Sequence, residues 1–250
     1  MGAEMKRVEP GVHVLAATTI EPAGVATYLA TIGAEGWESD APSGVEEIIE
    51  VMSRGCYMSF GTELNPNITR VRAGNRDHLA NIIVQGHGSV LEHGWVSFMF
   101  TNVSRVFTHE LVRHRVGTAI SQESLRYVRL TNLGLWIPSC FANNPKAVAI
   151  FERAWAQAEE NYAELLSEEV VGENIDEDQF GRKKELTSGA RRLAPIGLAT
   201  NIGWSCNMRA LRHVISMRTD PAAEEEIRLA FNQVAKIVDE RWPHVFPEGA

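Results

Sequence analysis

The chain lacks the runs and excesses that would put it in a membrane, outside the cell or along a nucleic acid. No stretch comes near the roughly 18 consecutive apolar residues of a membrane-spanning helix, although 44% of its 250 residues are hydrophobic. The opening MGAEMKRVEPGVHVL has no apolar signal core, so a cytoplasmic protein is expected. There are only three cysteines, Cys56, Cys140 and Cys206. Odd in number and widely spaced, they form neither a disulfide framework nor a zinc knuckle. Basic residues are outnumbered 24 to 32, giving a formal charge of -8. That excludes the basic face of a general nucleic-acid binder, and neither a specific nucleic acid nor a membrane is expected as a partner.

Several catalytic signatures are missing too. Gly86 and Gly88 flank His87 but complete neither a dinucleotide fingerprint nor a phosphate P-loop. No GxSxG elbow occurs. GHGSVLEH (86–93) supplies His87, Glu92 and His93, but without HExxH helix spacing, and Gly88 and Ser89 favour a turn. No metal centre is expected, and a buried, hydrogen-bonded His87 is the plain structural reading.

What is present is an uneven charge distribution. Acids crowd residues 159–178, while arginines recur at 105, 113, 115, 126, 129, 191, 192, 209, 212 and 218. This separation points to an acidic exterior and a local cationic site; the plainer alternative is arginines solvated on several helices.

Residues 11–20 read as a strand from their β-branched content, and 95–103 from strict alternation. Residues 43–55 read as a helix with Ser43 as N-cap and Glu46 three residues on. Residues 61–77 are turn-rich, and 77–86 form a short helix ended by Gly86. Helical spacing returns at 104–115. In 145–169, Val148, Phe151, Trp155, Ala158, Tyr162 and Leu165 make one apolar stripe. An acidic loop at 170–182 leads into a helix ending at Pro195. Residues 203–220 read as a helix. The last helix has Asp220 before it, Pro221 in its first turn and Ile227, Phe231, Val234 and Val238 on its buried face. Helices around a few strands, without regular βαβ alternation, predict an α+β fold. No repeat or domain boundary appears.

The stretch ELVRHRVGTAISQESLRYVRL (110–130) concentrates the cations. On a helix Arg105, His109 and Arg113 share one face, and Glu110 and His114 another. The helix must stop near Gly117, which lets its end present arginines to two partners. Beyond it, Ser124 and Arg126 in a polar turn suit a phosphate, each charged hydrogen bond contributing about 1.5–3 kcal/mol when shielded from water. Ser121 or Ser124 as a covalent nucleophile lacks an identified base.

These residues carry a resemblance. RHR (113–115) followed by SLRY (124–127), with GHGSVLEH upstream and ARRLAP (190–195) and NMRALRHVISMRTD (207–220) downstream, resembles the ordered motifs of the flavin-dependent thymidylate synthases. The likeness covers about residues 80–247. It implies one domain over 1–250 with an extended N-terminal region to about residue 80. The implied fold has a central, mostly antiparallel sheet flanked by helices. The implied reaction is methylation of a uridine monophosphate, dUMP first, at ring carbon 5. The implied cofactor is FAD, with methylenetetrahydrofolate as carbon donor and NADPH as reductant. A homotetramer with shared active sites is implied as well.

Carried over by motif, the resemblance assigns Ser89, Arg113, His114, Arg115, Gln122, Asn207, Met208, Arg209 and His213 to FAD. Glu110, Arg113, Gln122, Glu123, Ser124, Leu125, Arg126, Arg191 and Arg218 fall to the nucleotide. Arg218, Ser124 and His87 take catalytic roles, Arg218 by favouring the ionised pyrimidine. No active-site cysteine is implied, which fits Cys140 in IPSCF.

This chain departs from the family pattern in its eight-residue spacer before Ser124, in Glu110 where glutamine is usual, and in Ala222 where some members have histidine. Two readings of Glu110 follow. It accepts from a ribose hydroxyl and admits UMP, or it pairs with a neighbouring arginine or histidine. Outside the family reading stand a non-catalytic nucleotide- or RNA-binding protein and a His/Glu metal hydrolase.

Overall fold

The computed structural model describes residues 6–127, 130–132, 134–172 and 179–247. Its centre is a four-stranded antiparallel sheet formed by β2 (Gly11–Ala17), β3 (Trp95–Ser104), β6 (Ala199–Asn207) and β4 (Thr118–Gln122), side by side in that order. Two short strands, β1 (Lys6–Arg7) and β5 (Gly134–Leu135), pair parallel beside it. The helices are α1 (Pro22–Thr31), α2 (Gly44–Tyr57), α3 (Asn75–Val84), α4 (Arg105–Leu111), α5 (Ser139–Ala142), α6 (Pro145–Leu165), α7 (Glu168–Val171), α8 (Phe180–Ala190), α9 (Met208–Arg218) and α10 (Glu225–Arg241).

Alternation decides which face of the sheet is inside. Val96, Phe98 and Phe100 of β3 and Ile202, Trp204 and Cys206 of β6 are buried. Helices α2, α3, α4, α9 and α10 supply the other half of that core. Phe98, Phe100, Phe107, Trp204 and Phe231 form a ring cluster with centroids 5.1–6.2 Å apart, contacts of the offset and edge-on kind that aromatic pairs prefer. A smaller core joins Trp155 and Tyr162 of α6 to Leu135, Ala190 and Leu198.

Local predictions hold where side chains decide the ends. Ser43 Oγ accepts from Glu46 N, so α2 begins with the expected N-cap, and the same hydroxyl donates to Glu46 Oε2 in place of the backbone bond of a full capping box. Gly86, at φ +70°, follows α3. Ile227, Phe231, Val234 and Val238 are all buried. Residues 173–178 of the expected acidic loop lie outside the described residues, and its flanks are helical, in α7 and α8.

Three expectations are corrected. The predicted helix at 203–220 begins only at Met208; Gly203–Asn207 is the end of β6. That segment contains Trp204, Ser205 and Cys206, which face alternate sides of the sheet, and two ladders hold it. The polar turn expected after Gly117 opens with a strand, β4, because residues 118–122 pair with residues 202–206. The last helix starts at Glu225, not Pro221: Asp220 Oδ1 accepts from Ala222 N in a turn, and Glu224 caps the helix.

A buried polar network, not foreseen from sequence, ties α2 to the loop it faces. Arg54 and Glu50 are an ion pair at 2.7 Å with both side chains 1% exposed. Arg54 also donates to the carbonyls of Ser59 and Arg72, while Glu50 accepts from Ser39 Oγ and Asn75 Nδ2. Every charge is thereby matched, the condition for a buried pair to be tolerated. The network pins both ends of 59–72, a stretch with no regular secondary structure.

His78 is buried beside Ser53, with Nε2 2.6 Å from Ser53 Oγ. Burial, followed by the nearby Arg54, lowers its pKa to about 4. The native state therefore resists protonation that the unfolded chain accepts near pH 6.5, and stability falls as pH drops from 6.5 toward 4, by about 3 kcal/mol. The raised pKa values of buried Glu46 and Glu226 act in the opposite direction, so a comparison of variants isolates the histidine. Urea unfolding at pH 7 and pH 4.5 should show a smaller pH-dependent loss in His78→Gln than in the parent; equal losses would refute this assignment.

Candidate functional site

Two strand ends build the site. At the end of β6, Asn207 is buried and caps α9, its Oδ1 accepting from Ala210 N at 2.8 Å. Its own N–H bonds Gly117 O at 3.0 Å. Gly117 has φ +67°, and a Cβ there would lie 2.3 Å from Asn207 Nδ2. Glycine is thus required twice at this position, by conformation and by space. At the end of β3, Ser104 caps α4 and is itself gripped by buried Glu226 of α10, which accepts from both the Ser104 amide and hydroxyl.

Beside the first of these junctions lies a cleft of about 360 Å³ lined by Glu92, Arg113, His114, Arg115, Val116, Asn207, Arg209, Ala210, His213 and Val214. Six residues assigned to one ligand by motif, from two segments nearly a hundred residues apart, meet here: Arg113, His114, Arg115, Asn207, Arg209 and His213. Arg209 is paired with Glu92 at 2.6 Å. Glu92 is therefore an arginine partner, and no cluster suited to a metal occurs among the described residues. Gly88 lets the 3-10 turn Gly88–His93 approach Arg209, whose Nε would be 2.9 Å from an added Cβ. Ser89 is exposed on that turn. Met208 has its side chain wholly in the core and its amide bonded to Gly94 O, so it stands behind the cleft.

Helix α4 ends at Leu111, so Arg113 and His114 leave the helical faces the spacing suggested and turn toward α9. Arg218, the last residue of α9, donates through Nη1 to Glu110 Oε2 at 2.5 Å and through Nε to His114 Nε2 at 2.8 Å. Burial, then the charges of Arg218 and His213, lower the His114 pKa. The imidazole is neutral at neutral pH, with its proton on Nδ1 and Nε2 free to accept. Of the two readings of Glu110, the pairing with a neighbouring arginine is the one observed.

The residues assigned to the nucleotide divide. Gln122 closes β4 and donates to Thr108 Oγ1 at 3.2 Å. Ser124 makes a tight turn, its Oγ accepting from Arg126 N at 3.3 Å and its carbonyl from Tyr127 N at 3.0 Å. Among the described residues no base contacts the Ser124 hydroxyl. The Glu123 carboxylate turns to Asn201, accepting from its N and Nδ2, and Leu125 packs on the smaller core. Arg126 and Arg191 are exposed. Along β4 the far end of the strand, at Gln122, lies about 13 Å from its cleft end, and the turn follows it.

Sequence reading missed two members. Arg105 donates to Glu123 O at 3.3 Å, feels the charge of Arg191, and has a buried Nε with no partner among the described residues. His87 is exposed, against the expectation of a buried histidine, and packs edge-on to Tyr57 at 5.6 Å, with the tyrosine hydroxyl 3.3 Å from its Nδ1. Neither carries a local signal: Arg105 looked like one more surface cation, and Tyr57 is thirty residues from His87. A larger, mostly apolar groove of about 700 Å³ between α1 and α2 contains none of the motif residues.

Residues 39–244 match the sequence profile of the Thy1 family, thymidylate synthase complementing protein. A flavin-dependent thymidylate synthase from Mycobacterium sp. (strain JLS) is 37% identical over 196 residues, 77% of this chain and 74% of that protein. The fold is that of a UMP/dUMP methylase, PolB, from Streptomyces cacaoi, solved with 5-Br UMP (TM-score 0.65, 16% identity, 96% and 94% of the two chains). It is shared by Thymidylate Synthase X from Helicobacter pylori, solved with FAD and dUMP (TM-score 0.60, 18% identity, 96% and 98%).

Gly117→Ala should destabilise the protein by more than the about 1–3 kcal/mol that a strained backbone alone costs, because the new Cβ meets Asn207. Gly33→Ala supplies the control: φ there is +70° and, among the described residues, nothing lies within 4 Å. Urea unfolding of both variants tests the claim, which fails if the two lose equal stability.

Proposed function

The chain belongs to the thymidylate synthase complementing (Thy1) family of flavin-dependent thymidylate synthases, and on that premise we propose that it methylates carbon 5 of a uridine monophosphate, dUMP before UMP, as a thymidylate synthase-type methyltransferase. The observation that carries this reading is the meeting of Arg113, His114, Arg115, Asn207, Arg209 and His213 in one cleft, with Arg218 fixed beside it. The donor set fits FAD. Three guanidiniums and two imidazoles face a space that Gly88 and Gly117 keep open, suited to an anionic dinucleotide. When bound, the flavin supplies the redox chemistry that lets a one-carbon unit arrive as a methyl group. Methylenetetrahydrofolate is the proposed carbon donor and NADPH the proposed source of two electrons.

The chain's own groups do the rest. Ser124, Arg126 and Arg191 hold the nucleotide phosphate through hydroxyl, backbone and guanidinium donors. Arg218 faces the pyrimidine and stabilises negative charge on the ring, which raises electron density at carbon 5. His87, with Tyr57 against it, stands at the mouth where the reduced cofactor and folate arrive. The proposed assembly is a homotetramer whose active sites combine residues of several copies. Glu110 is already engaged by Arg218, which favours dUMP. The fold shared with a UMP/dUMP methylase keeps UMP as the second reading.

Purified protein, reconstituted with FAD, should be yellow, oxidise NADPH several-fold faster with dUMP present, and form dTMP only when methylenetetrahydrofolate is added. A protein that remains colourless after reconstitution sinks the proposal, and turnover of UMP above dUMP reverses the substrate order.

A further inference from the structure

Arg218 is the group on which the proposed chemistry turns, and the structure holds it unusually firmly for a long, flexible side chain. Two of its three nitrogens are committed. Nη1 donates to Glu110 Oε2 at 2.5 Å and Nε to His114 Nε2 at 2.8 Å. The side chain is 17% exposed, against 30% for Glu110. Both partners come from one short segment, the end of α4 and the turn after it, while Arg218 is the last residue of α9. Two acceptors at fixed separation define a plane for the guanidinium, and among the described residues the nitrogen with both of its N–H bonds uncommitted is the third. The edge that remains is Nη2.

We propose that Glu110 is a positioning residue: with His114 it fixes the plane of Arg218 so that the Nη2 edge faces the pyrimidine. This rests on the assignment of Arg218 to the nucleotide ring made above. A carboxylate so placed has two effects of opposite sign. It aims the guanidinium, which helps a ring anion form; its own negative charge opposes that anion. Aim outweighs charge if the Arg218–ring contact needs its geometry, because a displacement of about 1 Å at a reacting centre can cost 10²-fold in rate. His114 serves the same end only while neutral. The groups facing it are Arg218 and His213 from α9, with Glu110, Arg113 and Arg115 from its own segment; burial first, then Arg218 and His213, disfavour its protonation.

The test uses flavin-loaded protein and three variants. Glu110→Gln keeps an oxygen that accepts from Nη1 and removes the charge. Glu110→Ala removes both. Arg218→Lys loses the fork. If Glu110 positions Arg218, Glu110→Ala lowers kcat about 10²-fold with KM for dUMP within about threefold. Glu110→Gln recovers most of that loss, and Arg218→Lys combined with Glu110→Ala is hardly worse than Arg218→Lys alone. Flavin absorbance and thermal melting exclude unfolded variants.

A second readout needs no turnover. The N3 proton of bound 5-fluoro-dUMP, followed by its ultraviolet difference spectrum, should ionise at lower pH in the parent and in Glu110→Gln than in Glu110→Ala, by about one unit. If N3 ionises more easily in both variants than in the parent, Glu110 is a counter-charge and the proposal is overturned. A rise in KM at constant kcat in Glu110→Ala overturns it too, as the signature of a direct nucleotide contact. If Arg218→Lys leaves activity intact, the assignment of Arg218 fails before Glu110 is tested, and the two failures are told apart.

Discussion

Everything at the site hangs from the junction where β6 becomes α9. Asn207 is there, and its groups hold three pieces of chain at once. Its side-chain oxygen Oδ1 caps the helix, its backbone amide hydrogen holds the loop at Gly117, and its side-chain nitrogen occupies the space a Cβ of residue 117 would need. The arginine triplet is thereby set against Arg209 and His213, which lie on the first turns of the helix that Asn207 caps. The cleft is therefore a consequence of one capped helix and one glycine, both fixed by the edge of a central sheet.

The second junction works by the same rule from the other end of the sheet. Ser104 caps α4, but here the cap is itself held by a buried carboxylate, Glu226, from a helix more than a hundred residues downstream. Helix α4 then delivers Glu110 and His114 to Arg218. Capping, ordinarily a local device worth about 1 kcal/mol, is used here to align elements that carry reactive side chains. Short helices such as α4 have little stability of their own, so their position is set by what grips their ends.

Charge organisation follows from this frame. The chain is acidic overall, yet its arginines converge at the site because strand ends and helix starts bring them there. The convergence is compensated pair by pair: Glu92 with Arg209, Glu110 with Arg218, and Glu123 near Arg105. Arg54 and Glu50, away from the site, are matched in the same way and fasten the long loop between α2 and α3. Among the described residues Arg113, Arg115, Arg126 and Arg191 have no acidic partner, and that is where an anion would be most strongly attracted.

Much was readable from residues alone. Caps at Ser43, the alternation of β3, the apolar stripe of the last helix and the ordered arginine motifs are local patterns, and local patterns record the physics of single elements. The strand Ala199–Asn207 is not legible in the sequence, whose residues 203–207 read as the start of the following helix; pairing with two neighbours makes the segment a strand. The same holds for Thr118–Gln122. Glu110 is the sharpest case. Its sequence position left two partners open, a ribose hydroxyl or a cation, and only the return of α9 beside α4 chose Arg218. The sequence by itself determined which residue types were available and which short elements they favour. The tertiary structure decided which charges meet, since hydrogen bonds between residues 108 apart depend on the path of the whole chain between them.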